Sequence, residues 1–177
     1  MRKADDIADP LFAKATVFEA GDQTAALVVC DVILLLEKHT KRAKARAEAL
    51  TGIAADNMMI TATHTHFGPA TSTLFNNDED VDYTSFMVDK IADAVRLAQL
   101  NLRPVAMGHI SGSEPGEVHN RRWHMKDGTV QMNPGYLNPD RVRPAGPTDP
   151  EVGLLAAMTP EGDPAAAVTN YALHYVG

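Results

Sequence analysis

Two histidines separated by one residue form the segment best suited to chemistry. Residues 61–69 read Thr-Ala-Thr-His-Thr-His-Phe-Gly-Pro, so a short apolar strand runs into a polar loop that carries His64 and His66. If the extended conformation persists through the loop, both side chains project from one face, about 6.5–7 Å apart. One imidazole could bind a divalent metal while the other hydrogen-bonds a water or a substrate oxygen. Two histidines alone do not complete the three-ligand site of catalytic zinc. The alternative interpretation is therefore that both are hydrogen-bonded loop histidines without a metal.

His174 is the best candidate for a third ligand. Residues 168–174 form a second apolar run that ends in a histidine, as the run before His64 does. A lone histidine at the end of a strand is the alternative. Asp31 follows another apolar run, where its carboxylate either orients a ligating histidine or caps the next helix. The single cysteine, Cys30, excludes a cysteine-rich zinc site, so any metal site is built from His, Asp and Glu.

A second dense cluster of polar side chains lies at residues 117–124, which read Glu-Val-His-Asn-Arg-Arg-Trp-His. An arginine in a cleft offers a planar fork to a carboxylate, a phosphate or a carbonyl oxygen. Arg121 and Arg122 are therefore candidates for ligand binding. The alternatives are a salt-bridged surface turn for Arg122 and a packing anchor for Trp123.

Composition restricts the class of protein. The chain has 177 residues, of which 45% are hydrophobic and 22% charged, and we expect a single folded domain over residues 1–177. Sixteen basic against 23 acidic residues give a net charge of −7, which argues against nucleic acid as the partner. Charges at residues 1–6 do not fit a signal peptide, and no run approaches the ~18 apolar residues of a membrane span. We expect a soluble protein whose compartment the sequence does not identify.

The elements that position these residues alternate between strands and helices. Two apolar runs joined by a Gly21 turn predict a β-hairpin, whose second strand should be buried on both faces. Periodicity and turn residues predict further helices, strands and a loop at residues 34–50 (helix), 58–63 (strand), 82–102 (helix), 105–110, 153–158 and 166–173 (strands), and 133–150 (loop). The fold class is therefore α/β, with a mixed β-sheet core and flanking helices.

The helix at residues 34–50 has an apolar stripe and a basic face. The stripe contains Leu36, Ala43, Ala47 and Leu50. Gly52 follows, where a glycine can adopt the left-handed backbone conformation that ends a helix. The basic face is interpreted as solvated, with a phosphate-binding surface as the alternative. His39 lies on a polar face of the helix and is expected to be structural or solvated.

Four motifs in this order resemble the neutral and alkaline ceramidase family and its bacterial relatives. Residues 63–70 keep the family's Thr-His-Thr-His-Ser-Gly-Pro-Gly fingerprint except that Phe67 and Ala70 replace Ser and the last Gly. Residues 9–15 are similar to the Asp-Pro-Leu segment before the first hairpin, residues 120–121 to an Asn-Arg pair, and residues 171–174 to a strand ending in His.

The resemblance implies a zinc amidohydrolase of sphingolipid metabolism that acts on N-acyl sphingosine or a related lipid amide. His64 and His174 would bind zinc, while His66 and Arg121 would lie beside the metal and handle the substrate amide. Arg122 lies outside the matched Asn-Arg pair and would point to solvent. The family adds a Glu and a Tyr from beyond the second ligand strand, whereas this chain stops at Gly177. We therefore expect an incomplete catalytic domain, an incomplete zinc site and little turnover by this chain alone.

Two further expectations complete the interpretation. Family members also carry a first strand before their Asp-Pro-Leu segment, which this chain lacks. Strands missing at both ends would leave exposed sheet edges, which invite pairing into a homo-oligomer. The alternative function is a non-catalytic remnant or small binding module that keeps the fold without a complete metal site.

Overall fold

The computed structural model describes residues 7–74 and 76–174. These residues fall into two compact units, residues 7–103 and residues 104–174, each described here by itself. This division does not test the prediction of one domain over residues 1–177. The charged residues 1–6 and the last three residues lie outside the described part of the chain.

The first unit is built on a three-stranded mixed sheet. Its strands are β1 (Ala13–Ala20), β2 (Gln23–Cys30) and β3 (Met58–Ala62). β1 and β2 form the predicted antiparallel hairpin, with Gly21 in the left-handed region at φ 61°. β3 pairs with the other side of β2 in parallel, from Ala26↔Met58 to Cys30↔Ala62. The parallel pairing brings the ends of β2 and β3 to the same edge of the sheet.

Two helices complete the first unit. They are α1 (Glu37–Thr51) and α2 (Val81–Leu100). As predicted, α1 ends at Gly52, whose φ is 74° and whose N–H donates to the Glu48 carbonyl at 2.8 Å. α2 begins at Asp80, whose carboxylate accepts the Tyr83 N–H at 2.9 Å.

α1 begins three residues later than the sequence predicts. The carbonyl groups that would start an earlier helix bind elsewhere: Ile33 O accepts from the His64 ring, and Leu34 O accepts from the Thr71 hydroxyl at 2.7 Å. These contacts come from a segment more than 30 residues downstream, so local periodicity could not reveal them.

The core of the first unit is one cluster of buried apolar residues from the sheet and both helices. Alternate β2 residues, Ala26, Val28 and Cys30, are buried, whereas Leu27 and Val29 are half-buried. The predicted burial of β2 is therefore complete on one face only. α2 contributes residues at helical spacing, among them Ile91 and Val95, which are fully buried.

The second unit contains two antiparallel sheets. One has the order β4-β8-β9 and the other β6-β5-β7. Their strands are β4 (Ala106–Ser113), β5 (Arg122–Met125), β6 (Val130–Met132), β7 (Arg141–Pro144), β8 (Glu151–Met158) and β9 (Pro164–Tyr171). β4, β8 and β9 confirm the three predicted strands. The prediction of a loop throughout residues 133–150 is wrong, because β7 lies inside it and pairs with β5.

The observed architecture confirms the α/β class with mixed sheet and flanking helices. None of the helices among the described residues combines the length and the apolar character needed to cross a bilayer. Pairing of sheet edges between copies of the chain stays a prediction.

Candidate metal centre

His64 is held by the backbone that follows β2. The pairing of β2 with β3 continues past the strands, as Thr63 N–H donates to Cys30 O at 2.9 Å and His64 N–H to Val32 O at 3.1 Å. The His64 ring then bonds through Nδ1 to the Ile33 carbonyl oxygen at 2.6 Å. A carbonyl can only accept, so Nδ1 carries the proton. Nε2 is consequently the nitrogen whose lone pair can bind a metal.

The expected extended conformation does not persist through the motif. β3 ends at Ala62, and His64 adopts φ 62°, a left-handed conformation that histidine tolerates better than bulky residues. The turn still brings His66 beside His64, with ring centroids 5.0 Å apart and planes at 90°. Both side chains are exposed. Two adjacent accessible imidazoles have the chemistry that zinc ligands require, so the residues fit this metal.

His174 is half-buried and lies three residues beyond the end of β9, in the second unit. Its position after an apolar strand agrees with the sequence analysis. Its role as a zinc ligand stays a prediction.

Asp31 does neither of the things that the sequence suggested. Its carboxylate accepts the Phe12 N–H at 3.0 Å, and its own N–H donates to the Phe12 carbonyl at 2.9 Å. The His64 ring is oriented by the Ile33 carbonyl instead, and the residue before α1, Leu36, provides no side-chain cap. Asp31 therefore fixes the chain entering β1.

Cys30 is buried beneath the same strand end. Burial, and secondarily the charge of Asp31, raises the pKa of its thiol to about 12. The thiol therefore stays protonated at neutral pH and is a poor nucleophile.

Side chains of α1 and α2 form a hydrogen-bonded cluster around Glu79, which no sequence pattern indicated. His39 is 1% exposed, and its Nε2 lies 2.9 Å from Glu79 Oε1. The same carboxylate accepts hydrogen bonds from Thr84 Oγ1 at 3.0 Å and from Lys38 Nζ. The Lys38 hydrogen bond first, then that of His39, lowers the pKa of Glu79 to about 2. Spacing could have revealed His39, since residues 39, 43 and 47 share one face of α1.

The second unit contains a cleft of about 290 Å³ around the Asn-Arg pair. It is lined by Val118, His119, Asn120, Arg121, Arg122, Met132, Pro147, Thr148, Asp149 and Ala172. Both arginines of the predicted cluster thus line one cleft. Trp123 lies outside this lining, and its ring is covered by the Arg141 guanidinium at 4.5 Å. Trp123 is therefore a packing residue.

Comparison with known proteins places the fold beside ceramidases. No protein-family model matches the sequence, and no curated protein matches it. Among solved structures, the chain is similar to one described as "Ceramidase complexed with C2", with a TM-score of 0.64 and 23% identity over 89% of this chain and 25% of that one. It is also similar to the neutral ceramidase from Pseudomonas aeruginosa, with a TM-score of 0.61 and 23% identity over 84% of this chain and 24% of that one.

These similarities support the resemblance at the level of the fold. The chain spans about a quarter of the length of the ceramidase structures that it matches. Its α/β architecture is a partial match to a ceramidase domain, and 23% identity carries no further conclusion about activity.

Proposed function

We propose that this chain carries the histidine-bearing part of a zinc-dependent amide hydrolase site of the neutral ceramidase type. His64 and His174 bind zinc, and the substrate is an N-acyl sphingosine or a related lipid amide. The observation that carries the proposal is the hydrogen bond from His64 Nδ1 to Ile33 O, which puts the ring's lone pair on Nε2. The four ordered motifs and the ceramidase-like fold support the same function.

Zinc, when bound, polarises the amide carbonyl and lowers the pKa of a water molecule toward ~7. His66 lies edge-on to His64, and a neutral imidazole can donate one hydrogen bond and accept another. In this proposal His66 hydrogen-bonds the amide. Arg121 supplies guanidinium N–H donors for the carbonyl oxygen, whose negative charge grows as the carbon is attacked.

Zinc binding by the purified 177-residue chain tests the ligand assignment. We expect His64→Ala and His174→Ala each to weaken zinc binding by at least about tenfold, as loss of one histidine ligand or its support does elsewhere. His109→Ala is the matched control, because His109 is exposed on β4 outside the motifs. Zinc affinity unchanged in both test variants would contradict the assignment. A chain that binds no zinc at all would favour the small binding module.

Turnover of a fluorogenic N-acyl sphingosine tests the catalytic part. We expect little activity from this chain alone, because two histidine ligands do not make the three-ligand zinc site of hydrolases. Zinc-dependent turnover that His64→Ala abolishes would mean that further residues complete the ligand set.

A further inference from the structure

We propose that the exposed face of α2 binds a second copy of this chain, as an antiparallel helix pair related by a twofold axis. The inference goes beyond the proposed hydrolase and requires no metal. It concerns a surface separate from the sheet edges, and it rests on the spacing, exposure and charge order of residues on α2.

α2 carries apolar side chains on two opposite faces. One face supplies Ile91 and Val95 to the core. On the other face Phe86, Leu97 and Leu100 are 56%, 60% and 69% exposed. A surface helix normally has charged and polar residues on the side away from its core. Large apolar side chains grouped on that side are typical of a surface that binds another protein.

The exposed face of α2 has the spacing of a coiled coil. Its members follow one another at intervals of four, three, four and three residues, and they are Phe86, Lys90, Asp93, Leu97 and Leu100. These are the intervals of the a and d positions of a heptad repeat, which line the side of a helix that faces a partner helix. We call these five residues the α2 seam. Its spacing indicates that the partner presents an α-helix.

The two charged residues lie at the middle of the α2 seam and contact each other. Lys90 Nζ lies 3.2 Å from Asp93 Oδ2 and 5.5 Å from the centroid of the Phe86 ring. Both charged side chains are about half exposed, so water reaches the pair. An entirely apolar partner would remove this water without supplying opposite charges, which is costly. The partner should therefore carry charges at the centre of its own helix.

The order of residues along the α2 seam is complementary to its own reverse. When two copies of α2 lie antiparallel about an axis between residues 91 and 92, Lys90 of each copy faces Asp93 of the other. Phe86 of each copy then faces Leu97 of the other, and by symmetry every contact occurs twice. A parallel pair in register would place Lys90 against Lys90 and Asp93 against Asp93, which is repulsive. The charge order therefore selects a second copy of this chain in the antiparallel direction.

The size of the α2 seam predicts weak association. Stable interfaces involve about 20–30 residues on each side, many more than the seam provides. The net charge of −7 on each copy also opposes contact. We therefore expect an equilibrium between monomer and dimer that depends on protein concentration.

Sedimentation equilibrium of the 177-residue chain over a wide range of concentration tests the interface, with EDTA present to exclude bridging by zinc. We expect the average mass to rise from that of a monomer toward that of a dimer. Leu97→Asp should raise the dissociation constant about a hundredfold, because an interfacial leucine is lost from each copy. Val81→Asp is the matched control and should associate like the parent chain, since Val81 is 64% exposed on α2 but lies outside the seam.

Two results of this experiment would overturn the proposal. One is a parent chain that stays monomeric at every concentration. The other is association that Leu97→Asp leaves unchanged, which would point to the sheet edges instead.

Charge reversal tests the antiparallel order without relying on Leu97→Asp. Lys90→Glu and Asp93→Lys should each weaken self-association about tenfold, because each places like charges opposite one another. An equimolar mixture of the two variants should associate about as tightly as the parent chain, since each variant supplies the charges that the other needs. A substitution that only damaged the fold would not be rescued by mixing. Failure of the mixture to associate would refute the antiparallel pair and leave the zinc proposal untouched.

Discussion

The buried imidazole of His39 lies 2.9 Å from the Glu79 carboxylate, which joins α1 to the segment that follows the histidine motif. Glu79 is close to the start of α2, and Asp80 N–H next to it donates to Ala70 O at 2.8 Å. The loop after the motif is therefore tied to both helices. We therefore expect the His39–Glu79 contact to affect both the stability of the first unit and the position of the histidine motif.

Glu79→Gln should lower stability at neutral pH and flatten its acid dependence. The folded pKa of Glu79, about 2, lies below its ordinary value of 4.5. Stability from the ionised group is therefore complete above about pH 5 and is lost as pH falls from there toward 2. The free energy of unfolding, measured by urea denaturation from pH 7 to pH 3, should fall more steeply in the parent chain than in the variant. Glu48→Gln, exposed on α1, should retain the parent's slope.

Thr84→Val should destabilise the first unit by about 1.5–3 kcal/mol, since a buried charge-assisted hydrogen bond is lost without a change of shape. Thr84 is 1% exposed and donates to Glu79 Oε1 at 3.0 Å. Thermal denaturation measures the loss. In the Glu79→Gln background the same substitution should cost less, and strictly additive effects would argue against a shared cluster.

His64→Asn and His64→Val should separate the conformational role of this residue from its ligand role. The φ of 62° is tolerated by asparagine but strained for a β-branched side chain. The valine variant should therefore be less stable than the asparagine variant by about 1–2 kcal/mol. Both should bind zinc weakly. Equal unfolding midpoints for the two variants would contradict the left-handed turn.

Cys30 should resist alkylation in the folded chain. Its thiol is 2% exposed and its pKa is raised to about 12, so the reactive thiolate is almost absent at pH 8. Mass spectrometry after iodoacetamide treatment should find modification only when urea unfolds the chain. Rapid labelling without denaturant would mean that the β2 end opens readily.

Local patterns predicted the elements of the first unit and the β4, β8 and β9 strands of the second, but not β5, β6 and β7 or the contacts between distant segments. The Gly21 hairpin, the Gly52 helix end and the strands of the β4-β8-β9 sheet follow from alternation, periodicity and turn residues. β7 was not predicted, because the residues around it are rich in Pro, Gly and Asn, as in a loop. Its partner strand, β5, lies earlier in the chain and gives no local signal.

The same limit applies to the candidate site. The sequence placed His64 and His66 together, yet the turn that does so depends on carbonyl groups of residues 32 and 33, about 30 positions earlier. The polarity of His39 left a structural and a solvated role equally open, although its spacing from Ala43 places it on the buried face. A buried partner such as Glu79 has no local signal.

The Ile33 carbonyl has an evolutionary consequence. Every amino acid carries the same main-chain oxygen, so mutation of codon 33 does not remove the acceptor that orients the His64 ring. A carboxylate in that role would be lost by a single base change. The tautomer of His64 therefore depends on the course of the backbone and not on the identity of residue 33. Substitutions at that position preserve it as long as the backbone keeps its course.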